Sequence, residues 1–225
     1  NSLQPDRLAF YSYAHVPWIK GNGQRGFNDE DIPKDETKRK LYEVGKDLLF
    51  ENEYYEIGMD HFALKTDSLY DSFEKKKLHR NFMGYSSSKT QLMIGLGVSS
   101  ISDSWYSFAQ NVKELEEYYT ILKSDKLPIF RGHLLTPEDL IIRKHILNLM
   151  CHFETSWEDK SLYFEEVPEI LIQLKEMEND GLIIFEKNGI KVTNAGKPFV
   201  RNICMAFDLR LRRKAPETKL FSMTI

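Results

Sequence analysis

Three observations predict an α/β chain whose first part is built of parallel β-α-β units and whose second part is a mainly helical, winged-helix-like module. Strand-like apolar runs alternate with amphipathic helix-like stretches as far as Ser124. Leu92 to Val98 is an almost unbroken apolar run, the pattern of a strand buried on both faces. From Leu127 the texture changes to capped helices around a short hairpin.

Leu8 to Tyr13 alternates large apolar and smaller residues and reads as a strand. Lys34 to Asn52 reads as a helix, because Leu41, Val44, Leu48 and Leu49 recur at three- and four-residue spacing and form one face to bury. Tyr54 to Phe62 is a second strand ending on Asp60 and His61, and Thr66 to Lys77 a short helix capped by Thr66 or Asp67. The third strand is Leu92 to Val98. Glycines weaken a strand interior, so Gly95 and Gly97 mark the close approach of another backbone or of a ligand. The run opens at Ser99-Ser100-Ile101, the end that faces ligands in open α/β sheets and barrels. Trp105 to Ser124 reads as a long helix with Phe108, Val112, Leu115, Tyr119 and Leu122 on one side. Three parallel strands are too few for a complete sheet or barrel. Residues 1–127 therefore read as the back part of a larger α/β domain, whose open strand edge needs a cover.

Residues 128–225 read as the helical module. Thr136-Pro137-Glu138-Asp139 combines a threonine cap, proline at the first helical position and an acid three residues on, so a helix follows through Leu140 to Phe153. Pro168 opens another that stops at Asp180-Gly181. Leu182 to Thr193 is a hairpin about Asn188-Gly189, and a last helix from Asn194 keeps Val200, Ile203, Phe207 and Leu211 on one side.

Several function classes drop out on composition. A net charge of -3 and a pI near 6.1 speak against a general nucleic-acid binder. The acids Glu165, Glu166, Glu169, Glu176, Glu178 and Asp180 offset Arg201, Arg210, Arg212, Arg213 and Lys214 of the last helix. No apolar run approaches the roughly 20 residues of a membrane span, and no signal peptide is visible. Cys151 and Cys204 stand far apart, forming neither a disulfide framework nor a metal knuckle, which suits a reducing, cytoplasmic setting. His145 and His152 lie seven apart on one helix, about 10.5 Å along its axis, too far for one metal ion. The densest chemistry is His79-Arg80-Asn81-Phe82-Met83-Gly84-Tyr85, just ahead of the glycine-bearing run. His79 is either a proton donor or a packed, hydrogen-bonded ring, and Asp60 and His61 either position a ligand or fix their own loop.

Short segments spread over essentially the whole chain carry a resemblance. They include Tyr13-Ala14-His15-Val16-Pro17, Ile57-Gly58-Met59-Asp60-His61-Phe62-Ala63, Leu78-His79-Arg80-Asn81-Phe82, Gly95-Leu96-Gly97-Val98-Ser99, Ala109-Gln110-Asn111, Arg201-Asn202-Ile203-Cys204-Met205 and Phe221-Ser222. In this order they resemble the C-terminal half of the oxygen-independent coproporphyrinogen III oxidases, radical S-adenosylmethionine enzymes of heme biosynthesis. The resemblance implies the last strands of a partial radical-SAM (β/α) barrel and an enzyme using a [4Fe-4S] cluster and two S-adenosylmethionine molecules. A 5'-deoxyadenosyl radical would take a hydrogen from the propionate β-carbon, turning two propionates of coproporphyrinogen III into vinyls. It further implies that Ala14 and Ile101 lie in the S-adenosylmethionine sites and that Phe82 and its neighbour Met83 lie in the active-site loop. The propionates of that substrate favour an arginine fork, for which Arg80 is the first candidate.

Two departures stand out. The family's CxxxCxxC cluster motif is absent from these residues, so the metal ligands would lie outside them and the chain alone is expected to be inactive, needing the missing N-terminal part of the protein. Met83 stands where the family pattern has glutamine, and a thioether cannot donate the amide's hydrogen bonds. The electron donor and acceptor stay open. So do two other readings, a heme-carrying relative of the same fold and a winged-helix interaction protein.

Overall fold

The computed structural model describes residues 3–13, 26 and 28–214. In chain order the elements are β1 (Arg7–Ala9), α1 (Asp35–Glu51), β2 (Tyr54–Gly58), β3 (His61–Leu64), α2 (Ser68–Glu74), β4 (His79–Asn81), β5 (Gly84–Ser86), β6 (Leu92–Met93), β7 (Ile101–Ser104), β8 (Ser107–Asn111), α3 (Leu115–Lys123) and β9 (Ile129–Leu134). They continue with α4 (Pro137–His152), β10 (Glu154–Ser156), α5 (Val167–Gln173), α6 (Lys175–Asn179), β11 (Ile183–Glu186), β12 (Gly189–Val192), α7 (Val200–Ala206) and α8 (Leu209–Lys214).

Helices and sheets are mixed as expected, but every strand pair among the described residues is antiparallel. The sheets run β1-β3-β2, β4-β5, β6-β7-β8-β9 and β10-β12-β11. The parallel β-α-β reading fails because tight turns reverse the chain where crossovers were expected, and only antiparallel neighbours can be joined that way. Met59 and Asp60, both at positive φ, fold the expected Tyr54 to Phe62 strand into the β2–β3 hairpin. Trp105-Tyr106 turns β7 into β8, so the first half of the expected Trp105 to Ser124 helix is a strand and only Leu115–Lys123 is helical. Leu92 to Val98 contributes just the two residues of β6, and Leu92, Ile94, Leu96 and Val98 are exposed rather than covered on both faces, Leu96 by 84%. The sheet begun at β6 runs past residue 127, because β9 pairs with β8.

The helix over Asp35–Glu51 forms, but with a different inner face. Tyr42 stacks on Phe10 with ring centroids 5.6 Å apart, and Lys46 Nζ pairs with Glu56 of β2 at 2.6 Å. The apolar stripe Leu41, Val44 and Leu48 is left exposed.

The second half follows its sequence signals more closely. Thr136 and Asp139 form the reciprocal capping box of α4, and Asp67 caps α2 by accepting from the Leu69 N–H at 2.6 Å. The hairpin forms one residue early, its two-residue turn being Lys187-Asn188, with Gly189 already paired to Glu186. α4, α5, α7 and the small sheet enclose a core centred on Leu149, Ile170, Ile183, Ile190, Ile203 and Phe207. His145 is wholly buried in it, bonded through Nδ1 to the Thr155 hydroxyl at 2.7 Å and through Nε2 to the Leu162 carbonyl at 2.8 Å. With both ring nitrogens bonded, His145 is a packed, satisfied histidine of the core. A second cluster joins Ile57, Ala63, Leu69, Leu78, Tyr85 and Cys151, and Met59 and Phe73 touch both.

The basic last helix is stapled inward. Arg210 forks onto Asp139 with two bonds of 2.7 Å, Arg213 binds Glu138 and Glu166, and Arg212 reaches Glu169 at 2.8 Å. These guanidinium groups are engaged with the acids that precede them instead of forming an open basic face. No described helix is long and apolar enough to cross a membrane.

Candidate functional site around the Asn81–Gly84 turn

The β4–β5 hairpin makes the site. His79, Arg80 and Asn81 pair with Ser86, Tyr85 and Gly84, leaving Phe82 and Met83 as the turn. Asn81 Oδ1 accepts from the Met83 N–H at 2.9 Å, and Gly84 takes φ +122°, a backbone state that side chains oppose. Both turn side chains project outward, Phe82 57% and Met83 77% exposed.

The flanking pair points the other way. His79 is buried, and desolvation, helped by Lys89 and Arg143, lowers its pKa and keeps the ring neutral. The Arg80 guanidinium lies 4.8 Å from the centroid of the Tyr85 ring and carries a buried Nη1 with no hydrogen-bond partner. Tyr85 in turn donates to the Met150 carbonyl of α4 at 2.8 Å. Arg80 and His79 therefore sit beneath the turn, away from its exposed tip.

Other sequence candidates come together here. His61 bonds the Met59 carbonyl through Nδ1 at 2.8 Å, stands 5.3 Å edge-on to Tyr85, and brings Nε2 to 3.5 Å from the Tyr11 hydroxyl. Burial raises the Asp60 pKa, opposed by its bond from Tyr42. His61 thus fixes its own turn and sets it against the Phe82 hairpin, whereas Asp60 ties the turn to Tyr42 of α1. Ile101 opens β7, two residues before Asp103, so the two side chains share one face of the sheet. Asp103 is buried and accepts from the Phe82 N–H at 3.3 Å. Gly95 shows the close approach expected of it: a Cβ there would lie 2.7 Å from the Ile101 carbonyl oxygen. Asn111, unnoticed in its own right in the sequence, holds this loop by donating to the Gly95 and Gly97 carbonyls and the Ser100 hydroxyl at 3.2, 2.9 and 3.0 Å. Ala14, the other predicted nucleoside contact, lies outside the described residues.

No group of three or more His, Cys, Asp or Glu side chains among the described residues is placed to hold a metal. Burial pushes the Cys151 and Cys204 thiols up to about 12, so both are neutral rather than ligating thiolates. These residues do not fit an iron–sulfur cluster.

No protein-family model matches the chain. Individual proteins do. The oxygen-independent coproporphyrinogen III oxidase of Escherichia coli is 38% identical over 95% of this chain and 48% of its own length, and that of Pseudomonas aeruginosa 37% identical over 92% and 46%. The Synechocystis enzyme is 35% identical over 99% of the chain and 49% of its own length. The solved E. coli coproporphyrinogen III oxidase, described as a radical SAM enzyme, superposes with a TM-score of 0.85 at 36% identity, covering 93% of this chain and 49% of that one. The chain spans about half the length of the curated relatives it matches. In sequence and in fold the chain is similar to about half of the oxygen-independent coproporphyrinogen III oxidases.

Proposed function

We propose that this chain supplies the substrate-facing wall of a coproporphyrinogen III oxidase that decarboxylates two propionates to vinyls. The observation that carries the reading is the outward Phe82-Met83 turn, held on the same sheet face as Ile101, in a chain related over nearly its whole length to half of that enzyme. Phe82 presents an aromatic face and Met83 a polarizable thioether to a flat tetrapyrrole. His79 and Arg80 support the turn from below. Ile101 and Ala14 contribute to binding S-adenosylmethionine, two molecules of which take part. The [4Fe-4S] cluster belongs to polypeptide other than the described residues.

The same reading accounts for the uncovered apolar faces. Leu41, Val44 and Leu48 on α1, Leu115, Tyr119 and Leu122 on α3, and Ile129, Phe130 and Leu134 on β9 are exposed. They are the surfaces on which the N-terminal half of the enzyme packs. The helical part that follows β9 serves as a winged-helix-like cap beside the mouth. Two buried thiols suit the reducing cytoplasm.

The test joins this chain to the N-terminal half of the E. coli relative, reconstitutes iron and sulfide without oxygen, and measures protoporphyrinogen formed from coproporphyrinogen III and S-adenosylmethionine. Product from the hybrid and none from this chain alone is expected. A hybrid that assembles its cluster, cleaves S-adenosylmethionine and leaves coproporphyrinogen untouched overturns the reading.

A further inference from the structure

We infer that Asp103 is a positioning residue that clamps the Phe82-Met83 turn to the strand carrying Ile101, so that the two parts of the proposed site move as one. The inference rests on the functional reading above for the identity of the substrate, but its geometry stands without it.

A two-residue turn offers two inner N–H groups, and both are satisfied here by side chains. Asn81 holds the Met83 N–H at 2.9 Å from within the hairpin, which fixes the turn's shape but not its place in the molecule. Asp103 Oδ2 takes the Phe82 N–H at 3.3 Å from a different sheet, and that bond sets where the turn sits. The carboxylate is itself held. Its Oδ1 accepts from Arg143 Nη2 at 2.7 Å, and Arg143 Nη1 donates to the carbonyls of Ser104 at 2.7 Å and Trp105 at 3.3 Å. The guanidinium is wedged 4.9 Å from the ring centroids of both Trp105 and Phe108, so it has little freedom. Arg143 comes from α4, whose Met150 carbonyl also anchors Tyr85 of the hairpin. Two tethers from one helix, Arg143 through Asp103 and Met150 through Tyr85, thus hold the turn at two points. Removing either oxygen's partner leaves a buried charge short of a bond, which is why the pair is rigid.

The function of such a clamp is to fix the distance between whatever stacks on Phe82 and whatever lies against Ile101. Radical transfer between a nucleoside and a propionate demands that distance within a fraction of an ångström.

The test uses this chain with Asp103→Ala, Asp103→Asn and, as a control, Asp208→Ala, which removes the carboxylate that accepts from the Leu211 N–H in α8. Amide hydrogen exchange is read at Phe82, and the affinity for coproporphyrin III, the stable oxidised form of the substrate, from quenching of its fluorescence. Asp103→Ala is expected to raise Phe82 exchange and weaken coproporphyrin binding about tenfold, the size of one lost bond to a charged group, with the fold's core still protected at Leu149. Asp103→Asn, which keeps one acceptor oxygen for the two donors, restores part of both. Unchanged Phe82 exchange in Asp103→Ala overturns the clamp. So does a loss of protection spread equally over the core, with no rescue by asparagine. Coproporphyrin that fails to bind the parent chain, while Phe82 exchange still responds to Asp103, removes the substrate reading and leaves the clamp standing.

Discussion

The His61 ring stands edge-on to Tyr85 at 5.3 Å, with its Nε2 only 3.3 Å from where a Cβ on Gly84 would lie. The β2–β3 turn and the Phe82 hairpin therefore meet through an imidazole and a missing side chain.

Gly84→Ala tests that contact. Its φ of +122° is unfavourable for alanine, and the added methyl presses on His61. We expect a loss of about 1–3 kcal/mol in a urea titration and displacement of Phe82, seen as weaker coproporphyrin binding. Gly84→Ala with a parental urea midpoint counts against the geometry.

Met83→Gln separates chemistry from folding. The side chain is 77% exposed and makes no contact on which the fold depends, so the melting midpoint stays within the change expected of about 0.5 kcal/mol. Turnover of the hybrid enzyme changes, because an amide can hydrogen-bond where a thioether cannot. Equal kcat and KM for both forms removes Met83 from the site.

His145 makes stability depend on pH. Burial lowers its pKa below the ordinary 6.5, so the unfolded chain takes up a proton that the core refuses. The stabilisation is fully present above that ordinary value and is lost as the pH falls below it, and His79 and His152, also lowered by burial, act in the same direction. The urea midpoint should fall between about pH 7.5 and pH 5, and His145→Gln should flatten the slope. Identical slopes for parent and variant argue against the buried neutral ring.

Asp139→Ala addresses the C-terminal staple. The carboxylate caps α4 and receives the Arg210 fork, and that guanidinium holds its pKa well below the usual carboxylate range. The loss is about 2 kcal/mol, with exchange rising first in α8. Its stabilisation is present above the ordinary value of 3.8 and fades as the pH falls below it. Because Arg210, Arg212 and Arg213 are held by acids, a DNA titration at low salt should be flat.

What the sequence determined by itself is local. The Thr136 box, the Asp67 cap, the Asp180-Gly181 stop and the hairpin before Thr193 each depend on residues within a few positions of one another, and each forms, the hairpin one residue early. The quoted segments also pointed to the enzymes that the chain matches in sequence and fold. Only the tertiary structure decided strand direction and which apolar residues are covered. Period-two alternation is the same in parallel and antiparallel strands, and turns such as Met59-Asp60 and Trp105-Tyr106 lack the glycine or proline that marks a reversal. Leu92 to Val98 looked like core because hydrophobicity reports what a residue prefers, not whether a neighbour is there to bury it. Asp103 and Arg143 stand 40 residues apart, and nothing in either segment announces that they meet beneath Phe82.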